Sequence, residues 1–111
     1  MKVLITGTSQ GIGKAIAELF ISQGYNVIGI DRQESSIADD SYTHYQCDIR
    51  EYDSLPEIAG VEILINNAGT QNEDDINVNL KALIKITERY GLQASIKSIL
   101  NIGSASGHTG S

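Results

Sequence analysis

The chain has 111 residues, with 14 Asp and Glu against 8 Lys and Arg, 11 glycines, one proline and one cysteine. That length holds one domain of ordinary size and excludes two linked ones, and 41% apolar with 20% charged residues is a globular rather than a disordered balance. The net charge of −6 is concentrated in residues 31–75, where 12 acids stand against 2 bases, so a polyanion such as nucleic acid is excluded as an expected partner.

Single residues narrow the class further. Cys47 alone makes no internal disulfide and no four-ligand zinc site. The N-terminus MKVLITGTSQGIG carries an apolar run too short for a signal peptide, and no stretch approaches the roughly 20 apolar residues of a membrane span. The expectation is a soluble, cytoplasmic protein with no membrane partner and no metal site.

In chain order, Lys2–Thr6 is a short β-branched run that stops at a glycine, the pattern of a strand buried on both faces. Ile12, Ala15, Ile16, Leu19 and Phe20 recur at three- and four-residue steps, and Gly24 follows as a stop, which predicts a helix from about 12 to about 23. Residues 26–30 (NVIGI) form a second buried strand. A polar, acidic stretch leads into a third strand over 44–47, ending at Asp48. A helical turn is expected near 51–58, interrupted by Pro56.

Residues 61–65 (VEILI) give the fourth strand, which runs into Asn66-Asn67-Ala68-Gly69. Ile76, Leu80, Leu83, Ile84 and Thr87 then predict a helix over about 74–90, closed by Gly91, with Glu73, Asp74 and Asp75 biasing its first turn. Residues 98–102 are the fifth strand, and 103–111 a loop-like tail. Near-continuous apolar strands alternating with helices predict a parallel sheet covered on both faces.

The chemistry-bearing residues sit at the strand ends. Thr6-Gly7-Thr8-Ser9-Gln10-Gly11-Ile12-Gly13 joins the first strand to the first helix. Three glycines alone say little, but here a strand precedes, a helix opens within the motif, and Asp31 follows about twenty positions later at the end of the next strand. Glycine lets the backbone turn tightly and approach a pyrophosphate, and the helix N-terminus favours its negative charge. Ser9 and Gln10 add donors. Asp31 would accept from the 2′ and 3′ hydroxyls of an adenosine ribose and repel a 2′-phosphate, selecting NAD over NADP. Arg32 would pair with that phosphate, so NADP stays open. Asp48 would bond an adenine amino group or cap the short helical turn after it.

The glycine motif, Asp48-Ile49, Asn66-Asn67-Ala68-Gly69, Val78-Asn79-Leu80 and Asn101-Ile102-Gly103-Ser104, in that order, resemble the N-terminal half of a short-chain dehydrogenase/reductase. The resemblance covers essentially the whole chain and implies a Rossmann-like, doubly wound α/β fold with strand order 3-2-1-4-5. It implies that Gly7, Thr8, Ser9, Gln10, Gly11, Ile12 and Gly13 hold the pyrophosphate side of a nicotinamide dinucleotide, with Asp31 and Arg32 at the ribose and Asp48 and Ile49 at the adenine. Asn67, Ala68 and Gly69 would line the adenosine side, and Asn66 would tie neighbouring strands.

Asn79 matches the helix asparagine of the family's proton relay, and Ser104 the serine that positions a small alcohol or carbonyl substrate. A polar helix residue and a turn serine are their bland alternatives. The family's Tyr-x-x-x-Lys pair, in which a lysine lowers the pKa of an acid/base tyrosine, would lie beyond Ser104. Tyr25, Tyr42, Tyr45, Tyr52 and Tyr90 are followed four residues later by Gly29, Gln46, Ile49, Pro56 and Ala94.

The expectation is therefore an incomplete NAD(P)-binding domain over residues 1–111, a truncated oxidoreductase lacking the family's sixth and seventh strands and substrate loop, and inactive on its own. The alternatives are a non-catalytic dinucleotide-binding or interaction module and a decayed remnant. By the same resemblance the helix over 74–90 would mediate a dimer or tetramer. Cys47 is read as a strand-end core residue, and His44 and His108 as surface histidines.

Overall fold

The structure, a computed structural model, describes residues 1–67 and 76–102, the side chains of 76–79 excepted. Its elements are β1 (Lys2–Thr6), α1 (Gly11–Ser22), β2 (Asn26–Asp31), β3 (Tyr42–Gln46), a single 3-10 turn (Tyr52–Ser54), β4 (Ile63–Asn66), α2 (Ile76–Tyr90) and β5 (Ser98–Asn101). All four strand pairings are parallel, in the order β3-β2-β1-β4-β5. The five expected strands and their order are therefore present. β3 begins two residues early, at Tyr42, because its first residues pair with Val27 and Ile28 despite their weak apolar alternation.

β1 explains why the sheet is covered on both sides. Val3, Leu4 and Ile5 are all fully buried, and alternate side chains go to opposite faces. Val3 and Ile5 join Val27 and Ile65 beneath Ala17 of α1, with Phe20 and Ile21 at the margin. Leu4 joins Ile28, Ile30 and Leu64 against Ile86 and Tyr90 of α2. Each such side chain contributes about 1.5–3 kcal/mol by leaving water.

Both helices pack on the sheet through only part of the face that apolarity predicts, with Ile16 and Phe20 of α1 and Leu83 and Thr87 of α2 half-buried. On α1 the buried residues are Gly13 and Ala17, while Ile12 and Leu19 are 60% and 59% exposed. On α2 they are Ala82, Ile86 and Tyr90, while Leu80 and Ile84 stand out at 52% and 48%. On α1 small residues take the closest contacts because the helix backbone lies close to what it packs on, whereas Ala82 on α2 shares its buried face with Ile86 and Tyr90. α1 ends as expected: Gly24 takes φ +89° and donates its N–H to the Ile21 carbonyl, the left-handed stop that glycine accepts at low cost.

Candidate functional site

The order β3-β2-β1-β4-β5 reverses direction between β1 and β4, and in open parallel sheets ligands bind beyond the carboxyl ends of the strands at such a point. The loop after β1 occupies it. Gly7 and Gly11 have φ of +79° and +65°, values that side-chain-bearing residues adopt at a cost. The N–H of Gly7 donates to the Ile30 carbonyl at 2.7 Å, which pins the turn to β2.

Gly13 is needed for a different reason. A Cβ there would run into the Gly7 carbonyl and the Asn67 side-chain amide, so only glycine lets the start of α1 sit against the loop. A Cβ on Gly11, by contrast, would meet nothing within 4 Å. The space above that turn is open, at the end of a helix whose first N–H groups have no partner within the helix. This backbone cradle fits a diphosphate.

Asn67, just past β4, braces the loop from the other side of the switch point. Its backbone N–H donates to Thr6 Oγ1 at 3.0 Å and its Nδ2 to the Gly7 carbonyl at 3.1 Å. Asn66 faces the other way and donates to Asn101 Oδ1 on β5 at 2.9 Å, tying the two strands.

Asp31 stands at the end of β2 beside the glycine loop. Its Oδ2 accepts the Ser9 N–H at 3.0 Å and its Oδ1 the Gln33 N–H at 2.8 Å. The carboxylate is thus held between the glycine loop and the segment after β2. Ser9 is buried, and its hydroxyl donates to the Glu34 carbonyl at 2.8 Å while its own carbonyl accepts from Ser36 Oγ at 2.6 Å. Its side chain therefore fastens the two loops together. Gln10 is exposed in extended conformation before α1, Thr8 is fully buried and Arg32 exposed.

Asp48 is engaged by its neighbour. Oδ1 accepts from the Arg50 N–H at 2.9 Å and from its Nε at 3.0 Å, and Oδ2 from Nη2 at 2.7 Å. That guanidinium fork holds the Asp48 carboxyl below the usual aspartate range, with Arg32 adding to the pull and partial burial opposing it. The carboxylate closes a turn onto Arg50, whereas the residue capping the 3-10 turn is Glu51, without a side-chain hydrogen bond. Ile49 lies half-buried against the Leu4 and Tyr90 core.

Asn79 belongs to the first turn of α2. Its side chain, together with Ala68, Gly69, Ser104, His108 and the acidic run 73–75, lies outside the described residues. His44 departs from the expected surface histidine. It is half-buried, with Nδ1 bonded to Tyr42 Oη at 2.7 Å and Nε2 to the Gln33 carbonyl at 2.9 Å. The spacing of Tyr42 and His44, two apart on one strand and so on one face, was the available signal.

The parallel sheet, the glycine turn at its switch point and the clamped acid at the end of β2 define a Rossmann-like α/β domain. The short chain dehydrogenase family profile matches residues 1–111, and the chain belongs to that family. It is 30% identical to human dehydrogenase/reductase SDR family member 11 across 95% of this chain and 54% of that protein. It superposes with a TM-score of 0.76 and 27% identity on a short chain dehydrogenase from Leptospira borgpetersenii with bound NAD+, covering 93% of this chain and 51% of that one. A serine dehydrogenase complexed with NADP+ gives 0.75 and 29%, covering 96% and 55%. The chain spans about half the length of the relatives it matches. Among the described residues no helix is long and apolar enough to cross a membrane.

Proposed function

We propose that residues 1–111 form the cofactor-binding portion of a cytoplasmic oxidoreductase that moves hydride between a nicotinamide dinucleotide and a small alcohol or carbonyl compound, with NAD preferred. The observation that carries the reading is the Asp31 carboxylate, fixed by the Ser9 and Gln33 N–H groups beside the glycine turn. A fixed anion there accepts from ribose hydroxyls and repels a 2′-phosphate. Gly7 through Gly13 would hold the pyrophosphate, Asn67, Ala68 and Gly69 the adenosine side, and Ile49 the adenine margin. The dinucleotide supplies the hydride chemistry.

Asn79 and Ser104 would serve the proton relay and the substrate oxygen. None of the five tyrosines is followed by lysine four residues on, so these residues alone would bind dinucleotide without turning over substrate. The second reading is a non-catalytic dinucleotide-binding module. Association into a dimer or tetramer through α2 is part of the first.

Calorimetric titration with NADH and NADPH tests the cofactor assignment. The wild-type protein is expected to bind NADH more tightly and Asp31→Ala to lose that preference. Tighter wild-type binding of NADPH overturns it. An in-frame Tyr-x-x-x-Lys encoded shortly after Ser104 supports the enzyme, and a stop codon there supports the module.

A further inference from the structure

Two side chains of β3, Tyr42 and His44, carry a hydrogen-bond chain from the loop after β1 to the segment after β2. Thr8 Oγ1 meets Tyr42 Oη at 2.5 Å, Tyr42 Oη meets His44 Nδ1 at 2.7 Å, and His44 Nε2 meets the Gln33 carbonyl at 2.9 Å. A carbonyl only accepts, so His44 Nε2 carries the proton, and in the neutral ring Nδ1 is then the acceptor. Tyr42 must donate to it, and the Tyr42 oxygen accepts from Thr8. Burial, together with the charge of Asp31, pushes the Tyr42 phenol up despite the opposing Thr8 bond. It remains a donor.

Gly29 makes the chain fit. It pairs with His44 across the sheet, and a Cβ on it would fall onto Tyr42 Oη and Thr8 Oγ1. The chain also closes on itself. Thr8 adjoins Ser9, whose N–H holds Asp31 Oδ2, and Gln33, whose carbonyl takes the His44 proton, holds Asp31 Oδ1 through its N–H. Both anchors of the Asp31 carboxylate are thus fastened to two side chains of β3.

We propose that Tyr42 and His44 are positioning residues for cofactor selection, which fix the two loops that orient Asp31 and so set the discrimination between a free ribose hydroxyl and a 2′-phosphate. The inference rests on the dinucleotide reading above. With the chain cut, the Ser9 and Ser36 hydroxyls still join the two loops, but both lose their tie to β3, so Asp31 is held less rigidly and both its attraction for the hydroxyls and its repulsion of the phosphate weaken.

The test is Tyr42→Phe, which removes one hydroxyl and keeps the ring. NADH and NADPH affinities are measured by calorimetry beside Tyr25→Phe, a hydroxyl deletion on a ring packed against Phe20. Loss of one net hydrogen bond corresponds to about fivefold, so the NADH-to-NADPH affinity ratio is expected to fall about fivefold in Tyr42→Phe and to stay unchanged in Tyr25→Phe. Nitrogen-15 shifts of His44 supply a readout independent of ligand: the wild-type ring is expected as the Nε2–H tautomer, and that preference should relax in Tyr42→Phe.

An unchanged ratio, or equal weakening of both dinucleotides, overturns the positioning role while leaving the dinucleotide reading intact. Wild-type protein that binds neither dinucleotide overturns both. A wild-type His44 in the Nδ1–H form contradicts the chain itself.

Discussion

The side-chain amide of Asn67 donates to the carbonyl of Gly7 at 3.1 Å, across 60 positions of sequence. It joins the end of β4 to the turn after β1 at the one place in the sheet where neighbouring strands lead away from each other. Asn67→Ala should remove that brace. The expected result is a loss of about 1 kcal/mol of stability, the ordinary net worth of a hydrogen bond, with weaker NADH binding. Urea unfolding and calorimetry measure the two, and unchanged NADH affinity would deny the brace a role in the site.

Two glycine substitutions should separate space from conformation. Gly13→Ala places a methyl group on the Gly7 carbonyl, and backbone cannot step aside as a flexible side chain can. A cost of about 1–3 kcal/mol, typical of overpacking, is expected together with lost NADH binding. Gly24→Ala meets open space at φ +89°, so it should cost about 1–2 kcal/mol from the left-handed backbone alone and leave NADH binding untouched.

Asp48 gives a pH prediction. Its carboxyl is held below the ordinary aspartate value by Arg50, so the folded state binds that proton less readily than the unfolded chain. The pair's stabilisation is full above about pH 4, the unfolded aspartate range, and disappears as pH falls through the lower folded value. With side chains 22% and 42% exposed, water screens the pair to about 0–1 kcal/mol. Asp48→Asn should therefore be slightly less stable than wild type at pH 7, with the difference shrinking as the pH falls below about 4, as read from thermal melts. A difference that grows on acidification would contradict the pairing.

Tyr90 is 1% exposed, and its hydroxyl donates to the Pro56 carbonyl at 2.6 Å. Burial pushes this phenol up, with Arg89 opposing, so the folded state holds the proton more tightly than the unfolded chain. That contribution is complete below about pH 10, the ordinary tyrosine value, and is lost as pH rises through the folded value. Tyr90→Phe should cost about 1 kcal/mol at pH 7, the net worth of the hydrogen bond to the half-buried Pro56 carbonyl. Urea denaturation at pH 7 and pH 11 checks both, with the gap between wild type and variant expected to narrow at the higher pH.

The strands are legible because apolar, largely β-branched runs such as VLI and ILI leave little choice in a parallel sheet, and their order follows from the family resemblance. The glycine turn and Asp31 are legible because their spacing reflects a strand, a turn and a helix of fixed dimensions. The helix faces are legible only in part. Ile12, Leu19, Leu80 and Ile84 draw attention by apolarity, whereas on α1 Gly13 and Ala17 make the close contacts by being small. The links among Thr8, Tyr42, His44 and Gln33 are beyond a reading along the chain, since they depend on strands that meet only when folded. The engagement of Asp48 by Arg50 is local, two residues apart, yet an aspartate at a strand end fits several partners equally well until the turn is built.

Gly29 carries a lesson for anyone seeking a sturdier version of this protein. A glycine inside a central strand is an obvious target for replacement by valine, since β-branched residues fit pleated strands and glycine does not. Here the missing side chain is occupied space: a phenol and a threonine hydroxyl fill it from neighbouring segments. Engineering by strand propensity alone would evict them, and the glycine loop would lose its footing through a residue one strand away.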